Sequence, residues 1–227
     1  MTIANWILLG AVIITFGLLI VSHILQKKIL FKVCSCIIIP IFGALNTLLL
    51  MKYLPDSLHL LKISITALSL ITISTVFIAF EQKKFLRVSG RFFVIAGIVC
   101  WITLYRSIFF IHKVPLWLII LVTAFYIASN ISALIAAGKQ EPLACVLFIA
   151  SFAISSYLHF CTLIFLCYER TLSSIMLFAG ASLFLLLNAF HYINQDKKKN
   201  EHAGVIRFSL LLASQFLIAC SNILMIR

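Results

Sequence analysis

The sequence predicts an all-α, polytopic membrane helical bundle of eight transmembrane helices, a single integral membrane domain over residues 1–227, and three observations predict it. The 227 residues are 63% hydrophobic and only 11% charged, with a mean hydropathy of +1.18, whereas a soluble domain carries roughly a quarter of its residues charged. The apolar residues gather into eight runs, each close to the ~20 residues a helix needs to cross hydrocarbon. The longest polar run, 194–204, reads as a loop. It leaves no room for a folded lobe outside the membrane.

The first run, 6–25, has no basic segment before it and no small-residue cleavage signal after it, and Lys27 and Lys28 follow directly. It is expected to remain as an uncleaved anchor. The second, 31–51, holds Asn46 and Pro40, the only proline well inside a run. The third, 61–80, brings Ser69, Thr72, Ser74 and Thr75. The fourth, 92–111, ends near Tyr105 and Arg106, whose guanidinium is expected to snorkel to the interface. The fifth, 115–137, carries Tyr126, Asn130 and the small residues Ser129, Ser132, Ala133, Ala136 and Ala137, so neighbouring backbones can approach closely. The sixth, 143–165, presents Ser151, Ser155, Ser156 and His159. The seventh, 172–193, carries Asn188 and His191, which share a helix face at i, i+3. The eighth, 205–226, adds Ser214 and Gln215. No internal repeat appears, and repeated halves with broken helices are how many transporters build a midplane site.

Orientation follows from the basic residues. Twelve of the 18 Lys and Arg, Arg91 among them, fall on the side of connections 1–2, 3–4, 5–6 and 7–8. That bias places both termini on the non-cytoplasmic side, and a bacterial inner membrane or an endomembrane fits equally. The net charge of +12 is thereby assigned to loops and anionic lipid headgroups, not to nucleic acid. Trp6, Tyr53, Tyr105, Trp117, Tyr168 and Tyr192 fall near span ends, as interfacial rings do. The seven cysteines lie within or at the edge of apolar runs with no CxxC pair and no zinc-like spacing, so they read as small core residues. No metal and no cofactor are expected.

All six acids, Asp56, Glu81, Glu141, Glu169, Asp196 and Glu201, lie in connections or at span ends. A carboxylate inside hydrocarbon would mark a functional site, because burying one is costly. None is expected there. The interior is left with neutral polar side chains and histidines, which must find hydrogen-bond partners. The plain reading is interhelical adhesion; the sharper one is a polar pocket for a lipid headgroup.

On span seven, Gly180-Ala181-Ser182-Leu183-Phe184-Leu185-Leu186-Leu187-Asn188 resembles the signature of the YhhN-like, or lysoplasmalogenase, family: a Gly-Ala, a Phe, then a Ser-Asp pair in the same register. Ser214-Gln215-Phe216-Leu217-Ile218 is similar to the family's Ala-Gln in the last helix. Phe31-Lys32-Val33 resembles the Phe-Lys-Pro that opens its second helix, and Tyr126 falls where its fifth helix has a Tyr. Length and span count also agree. The departures are chemical: Leu187-Asn188 stands for Ser-Asp, Ser74-Thr75 stands for the Gly-Asp of the third helix, and Val33 replaces the proline.

The resemblance implies a hydrolase that cleaves the vinyl-ether bond of a lysophospholipid substrate, the lysoplasmalogen, to a fatty aldehyde and a glycerophospho-headgroup product. Asn188 and Thr75 would occupy the catalytic acid positions. Lys32, Tyr126 and Gln215, with Asn46 of span two, would form the substrate-binding set. The reaction begins with proton donation to carbon, which suits a carboxylic acid in low dielectric. An amide or hydroxyl donates hydrogen bonds but does not exchange protons usefully near neutral pH. His191, or else His159, would have to supply the proton. Two other readings stand beside this one: a non-enzymatic membrane protein that binds or moves a lipid or other amphiphile, and a membrane scaffold. Convergence of Thr75, Asn188, His191 and Gln215 on one cavity would favour the enzyme.

Overall fold

The computed structural model describes residues 3–53, 58–79, 84–105, 114–137, 142–193 and 203–224. Among them are eight helices: α1 (Ile3–Ile24), α2 (Lys28–Tyr53), α3 (Leu58–Ala79), α4 (Lys84–Tyr105), α5 (Leu116–Ala137), α6 (Pro142–Glu169), α7 (Leu172–Ile193) and α8 (Ala203–Leu224). Four are long and apolar enough to cross a membrane, over Val88–Tyr105, Leu116–Ile135, Cys145–Glu169 and Leu172–Phe190. α1, α2, α3 and α8 carry shorter apolar stretches, Gly10–Ile24, Ile29–Leu45, Leu61–Phe77 and Val205–Ser221.

The fourth helix departs from its apolar run. α4 begins eight residues earlier than expected, at Lys84, and ends at Tyr105; residues 106–111, including Arg106, lie outside the described residues. Lys and Arg are good helix formers whose long stems pack against apolar surface, so a basic first turn extends a helix that hydropathy alone truncates. Arg91, expected in a connection, is therefore on α4 and is buried. Tyr105, at the end of the candidate span Val88–Tyr105, is 2% exposed, and its hydroxyl donates to the Ile218 carbonyl oxygen at 3.2 Å.

The chain divides into two compact units, one reaching Leu104 and the other running from Tyr105 to Leu224. In the first, α1 packs on α2 and α2 on α3, around Leu19, Ile38, Ile39 and Ile71. Phe77 of α3 and Phe93 of α4 meet edge to face at 5.5 Å. α1 ends at a left-handed Gln26 (φ 53°), where the Gln26 and Lys27 amides return to the His23 and Ser22 carbonyls. This is the double hydrogen bond that closes a helix C-terminus, ordinarily built on glycine.

In the second unit α6, α7 and α8 pack in succession, with α5 against α6 and α7. The turn between α6 and α7 is short. Arg170 takes the left-handed conformation (φ 47°) with its amide on the Leu166 carbonyl. Thr171 then caps α7: its Oγ1 accepts from the Ser174 amide at 3.2 Å, and the Thr171 amide donates to Ser174 Oγ at 2.9 Å. α7 lies against α8 at Gly180, where a Cβ would come within 2.8 Å of Ile218 Cγ1, 3.0 Å of the Ser214 carbonyl oxygen and 3.1 Å of the Ile218 nitrogen. Only a glycine permits that separation. α5 turns Leu116, Trp117, Phe125 and Ile135 outward, each about two-thirds or more exposed.

Candidate functional site

The polar residues of the second unit collect along α6. Ser151, Ser155 and His159 recur at i, i+4 and i+8, which stacks them on one face. Facing them on α7 are Asn188 and Ser182. Ser151 Oγ donates to Asn188 Oδ1 at 3.1 Å, and Asn188 Nδ2 donates to Ser155 Oγ at 2.6 Å. Ser155 Oγ in turn donates to the Ser151 carbonyl at 2.7 Å. Both ends of the Asn188 amide are engaged, each by a neutral hydroxyl.

One turn further along α6, His159 links three helices. Its Nδ1 is bonded to the Tyr126 hydroxyl of α5, and its Nε2 lies 3.0 Å from Ser182 Oγ of α7. Ser182 Oγ donates to the Phe178 carbonyl at 2.8 Å, so it must accept from Nε2–H. Nδ1 is then the unprotonated nitrogen and takes the Tyr126 O–H. The tautomer is assigned by the chain of bonds: Tyr126 to His159 to Ser182 to a helix carbonyl. The Phe178 ring also stacks beside the imidazole, with centroids 4.8 Å apart. A chain that ends on a carbonyl holds helices together and leads no proton onward.

The sequence-expected site residues are distributed as follows. Thr75 is on α3 of the first unit, buried, and its hydroxyl donates to Ile71 of its own helix at 2.8 Å. Lys32 is on α2 in the first unit and half-buried. Tyr126 and Asn188 are both in the second unit, tied to α6 through His159 and through Ser151 and Ser155. Gln215 is wholly buried on α8, beside Ser214, whose Oγ donates to the Gly180 carbonyl at 2.9 Å. Asn46 and His191 lie on α2 and α7, with side chains outside the described residues. Among the described residues the sole acid is Glu169, exposed at the end of α6.

Ser182 was not singled out from the sequence, although it lies inside the stretch that carries the family resemblance. The four-residue spacing of Ser151, Ser155 and His159 was the available signal, because such a polar stripe needs a polar counterpart on whichever helix covers it. Comparison with protein-family models, curated proteins and solved structures returned no match.

Proposed function

We propose that the protein is a multi-pass integral membrane protein, resembling the lysoplasmalogenase-like pattern in outline, that binds a membrane amphiphile without hydrolysing it. Eight crossings with both termini on the non-cytoplasmic side are part of this reading. The helices with shorter apolar stretches still contain 22 to 26 residues. Even the shorter of these spans about 33 Å, against a hydrocarbon core of ~30 Å.

The observation that carries the non-enzymatic reading is Asn188. At the position where the resembled family has an acid, this chain has an amide whose two ends are taken up by Ser151 and Ser155. His159 is equally occupied, on both ring nitrogens. Protonating a vinyl-ether carbon requires an acid that releases its proton, and a hydrogen-bonded amide does not. Exposed aliphatic and aromatic side chains on α5 support contact with acyl chains.

The test uses purified protein in phosphatidylcholine nanodiscs supplied with lysoplasmalogen. Lipid retained through repurification, with no fatty aldehyde released at saturating substrate, is the expected result. Aldehyde release that disappears on His191→Ala would replace this reading with the hydrolase.

A further inference from the structure

Two buried polar atoms in the second unit have no partner among the described residues: Asn130 Oδ1 on α5 and Ser156 Oγ on α6. Ser156 is 4% exposed. The register of the antiparallel α5–α6 pair brings them to one level. Tyr126 of α5 belongs to a cluster with Phe160 of α6, and Phe148 and Phe152 of α6 pack with Ala133 and Leu134 of α5. Asn130 lies one turn from both Tyr126 and Leu134. Ser156 lies one turn from both Phe160 and Phe152, on the same stripe of α6. Each orphan atom is thus held between the same two apolar clusters, and Leu185 of α7 packs against both clusters.

Asn130 is fixed in orientation. Its Nδ2 donates to the Tyr126 carbonyl at 2.9 Å, which leaves Oδ1 as an acceptor. A serine hydroxyl both donates and accepts. Burying such groups unsatisfied costs about as much as a lost hydrogen bond each, so they call for a partner. The group that answers them is small and neutral, with one proton to give and a lone pair to receive.

We infer that a neutral hydroxyl group binds between Asn130 and Ser156, donating to Asn130 Oδ1 and accepting from Ser156 Oγ. It comes either from a buried water or from the head of an uncharged amphiphile such as a long-chain alcohol. A charged headgroup is disfavoured by the apolar clusters on either side and by the absence of any charged side chain among the described residues of these turns. The water form of the site stands independently of the amphiphile-binding function proposed above.

The experiment measures thermal unfolding of the full chain in phosphatidylcholine nanodiscs. Ser156→Ala decides by sign. A bridged hydroxyl makes the substitution lower Tm, by about 2–4 °C for one hydrogen bond in a chain of this size; a hydroxyl buried without a ligand makes it raise Tm. Asn130→Leu and the double variant supply the second measurement, because a shared ligand makes the two shifts less than additive. Probes of 1-dodecanol and its methyl ether then identify the source. A Tm rise with the alcohol alone, absent in Ser156→Ala, assigns an amphiphile; no response to either probe, with Ser156→Ala still lowering Tm, assigns water. An unchanged or raised Tm in Ser156→Ala, or strictly additive shifts, overturns the inference.

Discussion

Gly180→Ala probes the packing that holds the second unit together. The added methyl would meet three atoms of α8 at 2.8 to 3.1 Å, two of them backbone, the Ser214 oxygen and the Ile218 nitrogen. Backbone atoms cannot swing aside, so α7 and α8 must part. Overpacking of this kind costs about 1–3 kcal/mol, and parting the helices also stretches the Ser214 hydrogen bond to the Gly180 carbonyl, worth roughly 1 kcal/mol. Against this, alanine in place of a helical glycine returns about 0.5–1 kcal/mol. The balance is a loss of roughly 1–3 kcal/mol, or several degrees of Tm. Two other glycines calibrate the measurement. A Cβ on Gly43 would meet only Leu68, at 3.8 Å, which is ordinary contact, so Gly43→Ala is expected to leave Tm unchanged or raise it. Gly97→Ala falls between, because beside its 2.8 Å contact with Ile71 Cγ1 it meets a single backbone atom, the Ala67 carbonyl oxygen, at 3.3 Å. Thermal unfolding of the three variants in nanodiscs tests the order. A Gly180→Ala protein as stable as Gly43→Ala would refute the close approach of α7 and α8.

Four further outcomes follow from the geometry. Asn188→Leu removes the hydrogen bond accepted from Ser151 and the one donated to Ser155 and is expected to cost about 1 kcal/mol, the scale of polar contacts between membrane helices, measured by Tm. Thr75→Val is expected to shift stability by under ~0.5 kcal/mol and leave amphiphile retention intact, because among the described residues the Thr75 hydroxyl donates to Ile71 of its own helix; a lost ligand would return Thr75 to the site. Gln26→Gly relieves a left-handed non-glycine residue at the end of α1 and is expected to raise stability by roughly 1 kcal/mol. In intact cells, a membrane-impermeant maleimide is expected to label exposed Cys167 from the non-cytoplasmic face and to spare fully buried Cys161; labelling of Cys167 only after the cytoplasmic face is opened would reverse the orientation.

The helices were legible because apolar runs of span length leave the backbone few alternatives. For α7 the expected start and end coincide with the observed ones, Leu172 and Ile193. The start of α4 was misjudged for a physical reason: hydropathy registers what a side chain prefers to touch, whereas a helix tolerates Lys84, Arg87 and Arg91 because their long side chains favour helical backbone and can carry their charged ends away from apolar surface. The candidate site was legible only as an inventory. Asn188, His159, Ser151 and Ser155 were all visible as interior polar residues, but which hydroxyl would answer which amide depends on the rotation of α6 against α7, and a single sequence does not encode that in any local spacing. Thr75 illustrates the opposite limit, since a threonine can spend its proton on the carbonyl one turn back and need no partner on another helix.

The short turn through Arg170 and Thr171 has a consequence for biosynthesis. With only two residues between α6 and α7, the ribosome delivers the second helix almost immediately after the first, and each carries what the other lacks. The pair can therefore leave the insertion machinery as a hairpin whose amide, imidazole and hydroxyls already answer one another, so neither helix need face acyl chains alone with its polar stripe uncovered. Lengthening that turn with a flexible insert would delay the meeting and expose each helix singly to lipid and to quality-control proteases.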